Sequence, residues 1–296
     1  MRVITTVADM QAASAEARRA GKRIGLVPTM GALHEGHLSL VRMACTQTNW
    51  AVVSIFVNPL QFGPKEDLAR YPRPFERDRQ LLEAEKIDVL FAPSVEEMYP
   101  PGTLTFVEVA EMSNRLCGRS RPGHFRGVTT VVAKLFNLVQ PDMAFFGQKD
   151  AAQVAIIRRM IRDLDFPVQI AVGPIIRESD GLALSSRNAY LNAEQRRAAP
   201  ALHRALMRVQ MLADRGERKT EALLNAAREV VAGELQVKLD YVEAVDPNSL
   251  EPLADISSGA LIAIAAYLGQ TRLIDNIVLF GSGRVRYPET SPETSP

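Results

Sequence analysis

The chain has 296 residues, 47% of them hydrophobic, with a formal net charge of +1 and two cysteines. These figures exclude a disordered chain, a disulfide scaffold and any bulk positive field able to hold nucleic acid or an anionic membrane. They leave a globular protein of one large or two modest domains, in which phosphate binding must come from a local cluster.

Asp9 and Glu16 interrupt the opening residues early, so no signal peptide is expected. The spacing predicts a helix over 10–20, with Gly21 as its cap. A strand over 23–27 runs into Val27-Pro28-Thr29-Met30-Gly31-Ala32-Leu33-His34-Glu35-Gly36-His37, and a helix is predicted over 37–47. A strand over 51–57 delivers Asn58-Pro59-Leu60-Gln61-Phe62-Gly63. Pro74 suits the first turn of a helix over 75–85, and a strand over 88–91 follows. A basic, glycine-rich run over 119–127 precedes a helix over 128–139. A strand over 143–146 ends in Gly147-Gln148-Lys149-Asp150, which opens a helix over 151–163, and a strand over 168–172 comes next. Short apolar strands alternating with helices predict a parallel sheet covered on both faces, with ligands bound beyond the carboxyl ends of its strands.

The texture changes after about Pro174. A loop over 177–192 leads to helical patterns over 193–214 and 218–232, then to strands over 239–245, 260–267 and 271–280. This predicts a smaller α+β domain. The longest apolar run, 260–268, is too short to span a bilayer and reads as a buried strand. The final residues carry an imperfect Pro-Glu-Thr-Ser tandem that cannot form a core. Two isolated cysteines and no expected membrane segment point to the cytoplasm.

Three loops follow strands directly and carry chemistry. His34 and His37 flank a glycine where a strand hands over to a helix N-terminus, a place suited to a polyphosphate. Two solvated loop histidines are the bland alternative; a zinc site lacks further ligands, because His34-Glu35-x-His37 falls one residue short of the H-E-x-x-H motif. Gln61 offers an uncharged acceptor and two donors to a small substrate. Lys149 brings a mobile positive charge, with Gln153 one turn further on. In the linking loop, Leu184-Ser185-Ser186-Arg187-Asn188 makes an anion clamp or an exposed turn. The basic run over 119–127 receives no residue-level role. The chain contains neither a G-x-x-x-x-G-K-[ST] loop, a G-x-G-x-x-G after the first strand, nor a Gly-x-Ser-x-Gly elbow.

Taken together, five blocks resemble the pantothenate synthetase (pantoate–β-alanine ligase) family of the nucleotidylyltransferase-like HxGH superfamily. They are Pro28-Thr29-Met30-Gly31 with His34-x-Gly36-His37, Phe56-Val57-Asn58-Pro59-x-Gln61-Phe62, 121–128, Gly147-x-Lys149-Asp150, and Ser185-Ser186-Arg187-Asn188. The resemblance implies an α/β fold with a Rossmann-like doubly wound parallel sheet and a second, smaller α+β C-terminal domain. It implies domains over 1–175, binding ATP and pantoate, and 176–285, closing over ATP; the tail over 286–296 is not part of the resemblance and is expected to be disordered from its composition. It places ATP on Met30, Gly31, Ala32, Leu33, His34, Glu35, Gly36, His37, Gly147, Gln148, Lys149, Asp150, Ile176, Leu184, Ser185, Ser186 and Arg187. Pantoate falls on Gln61 and Gln153, and β-alanine on Gln61. His37 is cast as proton donor, with His34 and Lys149 as further catalytic groups and Mg²⁺ accompanying ATP. Ala152 stands where the family often has the first of two glutamines. The activity implied is ATP-dependent ligation of pantoate and β-alanine through a pantoyl adenylate, by a cytoplasmic homodimer. The alternatives are another HxGH nucleotidylyltransferase and a non-catalytic nucleotide-binding protein of the same fold.

Overall fold

The computed structural model describes residues 1–64 and 66–280. The tail expected over 286–296 lies outside them. The described residues group into two compact units: Met1–Gly147 with Ala152–Gly173 and Leu184–Ser186, and Gln148–Ala151 with Pro174–Ala183 and the described residues from Arg187 onward.

In the first unit the elements run β1 (Arg2–Ile4), α1 (Val7–Arg19), β2 (Ile24–Thr29), α2 (Glu35–Gln47), β3 (Trp50–Ile55), α3 (Phe75–Ala84) and β4 (Val89–Phe91). Two short turns, α4 (Val95–Met98) and α5 (Cys117–Ser120), precede α6 (His124–Val139), β5 (Met143–Gly147), α7 (Ala151–Asp163) and β6 (Gln169–Gly173). The six strands form one sheet in the order β1-β4-β3-β2-β5-β6, and every pairing is parallel. The expected parallel α/β sheet is therefore present. Val27, Val53, Leu90 and Phe145 share one core with Leu40, Val41 and Ala44 of α2 and Leu82 of α3. The alternate residues Leu26, Val52, Phe91 and Ala144 are equally buried, which is why these strands read as continuous apolar runs.

After the edge strand β1, the chain enters the middle of the sheet at β2, builds outward through β3 and β4, then crosses over and builds the other way through β5 and β6, so the order reverses between β2 and β5. That is the topological switch point at which open α/β sheets bind ligands. Pro28 helps to open it. β2 pairs with β3 along its whole length, through Thr29↔Ile55, but with β5 only at Gly25 and Leu26. Residues Ile24, Leu26 and Pro28 alternate toward β5, and a proline has no N–H with which to continue that ladder.

Several boundaries shift from expectation for local reasons. β1 is only three residues long and pairs solely with β4, too short a run for sequence periodicity to register. α1 begins at Val7, three residues early, because the side chain of Thr6 caps it by accepting from the Asp9 N–H.

In the second unit, the helical pattern over 193–214 is two helices, α8 (Ala193–Ala198) and α9 (Ala201–Asp214), separated at Ala199–Pro200. Proline removes an intrahelical donor there. α10 (Thr220–Ala232) follows, then β7 (Val237–Val245), β8 (Ala260–Leu268) and β9 (Thr271–Leu279) in an antiparallel sheet ordered β7-β8-β9. Alanines and leucines of α9 and α10 pack with alternate residues of β8 into a single core. Among the described residues no helix is long and apolar enough to cross a membrane.

Candidate active site

The loop after β2 turns through two left-handed residues, Gly31 at φ +80° and Ala32 at φ +50°. Alanine accepts that conformation only at a cost of about 1–2 kcal/mol. The turn is held by Asp78, a residue the sequence reading passed over. Asp78 lies in α3 and is 1% exposed, and its Oδ2 and Oδ1 accept from Ala32 N at 2.7 Å and Leu33 N at 2.8 Å. Burial pushes its carboxyl pKa up, and the two N–H bonds pull against that without reversing it. A carboxylate four residues before Leu82, on the buried face of α3, is the sequence signal that marks it.

The helix after this loop starts at Glu35, two residues earlier than predicted, because His34 is its N-cap. His34 Nδ1 accepts from Gly36 N at 3.1 Å, and His37 Nδ1 accepts from the backbone N of His34 at 3.3 Å. This is a capping box made of histidines in place of Ser/Thr and Glu. The N–H of His37 donates to His34 O at 2.8 Å. The expectation that helix amides lie open to phosphate therefore changes: the Gly36 and His37 amides are already engaged within the turn. The imidazoles take over as donors. Because each Nδ1 accepts a backbone hydrogen bond, the neutral ring carries its proton on Nε2. The ring centroids lie 4.1 Å apart.

Gln61 sits in a 3₁₀ turn, Pro59–Gln61, beyond β3, which stops at Ile55. A relay fixes its amide. Burial keeps the Tyr99 phenol protonated, and its hydroxyl donates to Asn58 Oδ1 at 2.9 Å. Asn58 Nδ2 donates to Gln61 Oε1 at 3.1 Å and to Gly127 O at 2.9 Å. With Oε1 taken, Gln61 presents its Nε2, which lies 3.0 Å from Met30 Sδ and so beside the histidine loop.

The basic run over 119–127 now gains a role. Arg121 pairs bidentately with Glu66 at 2.6 and 2.8 Å and donates to Gln61 O at 3.2 Å, while His124 Nδ1 lies 2.8 Å from the same carbonyl. Gly127 lets α6 approach, since a Cβ there would lie 2.3 Å from Leu60 O and 2.6 Å from Gln61 N. The helix starts at His124, four residues before the predicted start. Ser186 also joins this unit, its Oγ donating to Ala32 O at 3.2 Å. Leu184 and Ser185 accompany it, and Gln153 lies in α7 within the same unit.

The second unit holds Gln148, Lys149, Asp150, Ile176 and Arg187. Gln148–Asp150 form a 3₁₀ turn, and Lys149 Nζ stands 3.9 Å from Asp150 Oδ1. Asn276 of β9, 3% exposed, grips this turn. Its Nδ2 donates to Gln148 O at 3.0 Å and Lys149 O at 2.9 Å, and its Oδ1 accepts from Gln148 Nε2 at 3.0 Å. Next to it, buried Asp275 pairs bidentately with Arg177, the neighbour of Ile176, at 2.6 and 2.9 Å. The polar pair Asp275-Asn276, flanked by Leu273-Ile274 and Ile277-Val278-Leu279, is a sequence signal for a buried polar anchor. Arg187 lies in the turn Ser186–Tyr190.

The first unit is thus a Rossmann-like parallel α/β sheet whose histidine pair follows the strand at its switch point. The comparisons with known proteins carry the assignment further. The model of the pantoate-β-alanine ligase family matches residues 2–278. A pantothenate synthetase from Koribacter versatilis is 62% identical over 98% of this chain and 100% of its own length, and one from a Thermoanaerobacter species is 55% identical over 94% and 98%. The crystal structure of pantothenate synthetase from Thermus thermophilus superposes with a TM-score of 0.89 at 49% identity, covering 94% of this chain and 99% of that one. A Francisella tularensis pantoate-β-alanine ligase complexed with βγ ATP and β-alanine superposes at 0.78 with 34% identity, covering 94% and 97%. This chain belongs to the pantoate-β-alanine ligase family.

Proposed function

We propose that this chain condenses pantoate with β-alanine at the expense of ATP, in two steps. A carboxylate does not acylate an amine at neutral pH, because its oxygen is a poor leaving group. In the first step a pantoate carboxylate oxygen attacks the α-phosphorus of ATP, and pyrophosphate departs. In the second the β-alanine amine attacks the acyl carbon of the pantoyl adenylate, loses a proton and expels AMP.

The observation that carries this reading is the reciprocal histidine cap after β2, which gives both rings an Nε2–H. Adenylyl transfer is chiefly positioning and charge neutralisation. His34 and His37 donate Nε2–H bonds to phosphate oxygens, and the His37 donor is spent on the charge that develops on pyrophosphate. Adding a proton to either Nδ1 would break the cap, so donation without full proton transfer suits this geometry. Lys149 and Arg187 supply positive charge to the phosphates, with Ser185 as a hydroxyl donor and Ser186 beside it, its own hydroxyl proton engaged on Ala32 O. Gln61 and Gln153 orient pantoate, and Gln61 also meets β-alanine. Neutral amides suit this task, since a bidentate arginine would blunt the carboxylate as a nucleophile.

Mg²⁺ enters as the companion of ATP. Among the described residues no group of three or more His, Cys, Asp or Glu side chains could hold a metal, which fits an ion held mainly by phosphate oxygens and water. When bound it neutralises phosphate charge. A homodimer in the cytoplasm completes the reading, and a monomer mass by light scattering would remove the dimer from it.

The test is release of pyrophosphate from ATP that requires pantoate, followed by release of AMP that requires β-alanine. His37→Ala should slow the first step by at least about a hundredfold, the value of a single oxyanion donor. A near-normal single-turnover rate of adenylate formation in that variant would refute the role given to His37.

A further inference from the structure

We infer that Asp78 is a positioning residue for the ATP loop, its carboxylate holding the left-handed turn at Gly31–Ala32 from which the histidine pair is presented. The inference rests on the assignment of residues 30–37 to ATP.

Three observations support it. Asp78 is fully buried, and both carboxylate oxygens bond to this loop at 2.7 and 2.8 Å. Asp78 therefore does not serve as a cap for its own helix. The peptides it bonds belong to the strained stretch, where Ala32 has φ +50° and a Cβ on Gly31 would stand 3.0 Å from Asp78 Oδ2. Ala32 is also held from its other side, because its carbonyl accepts from Ser186 Oγ. Asp78 thus fixes the residue on which the Ser186 loop rests as well as the entry to His34. A strained backbone persists only where its surroundings over-determine it, and such strain gathers at working sites. Burying a carboxylate against two amides is costly by itself, which is consistent with a part kept for what it positions.

The test uses the full chain and four readouts: KM for ATP, KM for pantoate and β-alanine, the single-turnover adenylation rate, and hydrogen exchange at the Ala32 and Leu33 amides. Asp78→Asn should raise the ATP KM by at least about tenfold, roughly the worth of one charge-assisted hydrogen bond. The other two KM values should stay within about threefold, and both amides should lose protection. Should that variant not fold, Ala32→Val serves in its place. A β-branched residue resists positive φ, so it disturbs the same turn with Asp78 intact. The same ATP-selective loss and the same loss of amide protection are expected. His37→Ala runs alongside. If it abolishes adenylation while the Asp78 and Ala32 variants keep a normal ATP KM, or raise all three KM values equally with the amides still protected, the positioning role falls. If all the variants leave ATP untouched, the assignment of the loop to ATP falls instead.

Discussion

Each unit holds one of its functional loops from beneath with a buried polar side chain, and the two chemistries are opposite. In the first unit the left-handed turn at Gly31–Ala32 directs backbone N–H groups inward, and the partner is a carboxylate, Asp78. In the second unit the 3₁₀ turn Gln148–Asp150 directs carbonyls inward, and the partner is an amide, Asn276. The backbone conformation sets the sign of the partner. Two donors need an acceptor, and two acceptors need a donor, which an amide supplies without a charge. A buried amide is the less costly of the two, since only the carboxylate carries the desolvation penalty of a charge.

The isosteric exchanges Asn276→Asp and Asp78→Asn break this comparison most directly. An aspartate at 276 would face two carbonyl oxygens with nothing to donate, beside the existing buried charge of Asp275. We expect a loss of about 3 kcal/mol, at the upper end for a buried polar group left unsatisfied. Asn276→Ala, which orphans the two carbonyls without adding charge, should cost about 1–2 kcal/mol. Asp78→Asn removes a buried charge while it spoils one bond, so it should destabilise the chain less than Asn276→Asp while costing more in ATP affinity. Urea unfolding midpoints set beside ATP KM values give the order. A larger stability loss at Asp78 than at Asn276 would overturn the account.

A third loop, carrying Gln61, is held at its Gln61 carbonyl by Arg121 and His124 and meets α6 at Gly127 with no side chain between. Here the device is close approach of two backbones. Gly127→Ala places a methyl group 2.3 Å from Leu60 O, so the turn or α6 must move. Overpacking of this kind costs about 1–3 kcal/mol. The more telling result is in the kinetics: pantoate KM should rise by about tenfold and ATP KM by much less, since a misplacement near 1 Å is enough to spoil an oriented group. Equal changes in both would mean that Gly127 matters only to folding.

These three supports also show what the sequence could and could not reveal. The strand-to-loop junctions after β2, β3 and β5 were legible because apolar runs ending in glycine and polar residues mark strand ends locally. His34, His37, Gln61 and Lys149 all sit on such junctions. Their supports were not legible, because a partner 46 residues away at Asp78, or 128 residues away at Asn276, leaves no periodic trace. The only hints were polar residues on faces that should be apolar. Arg121 and His124 were visible as a basic cluster, but the carbonyl of Gln61 that both engage is a tertiary contact. The same limit explains the helix amides. Their availability was inferred from the helix start, whereas the histidines themselves fill two of the positions.

The smallest expected effect concerns Glu66, the carboxylate that braces Arg121 against the Gln61 loop. Burial is the largest single effect and raises its pKa, but the bidentate bond and the charge of Arg121, with His124 and the Gly63 backbone, together outweigh it, so the folded value lies below the ordinary one. The sign follows from linkage. The unfolded chain binds the proton more readily, so the contribution is present above the unfolded pKa of about 4.3 and is lost as pH falls through the lowered folded value. Thermal unfolding followed downward from about pH 6 should therefore lose a small increment below about pH 4, and Glu66→Gln should remove that increment while sparing the midpoint's dependence on the remaining carboxylates. The pair is partly exposed, with side chains 16% and 24% accessible, so the increment is screened and should shrink further in high salt. If the Glu66→Gln profile runs parallel to that of the unmodified chain throughout this range, the brace on Gln61 is the arginine's contact with the carbonyl alone and the carboxylate contributes nothing to it.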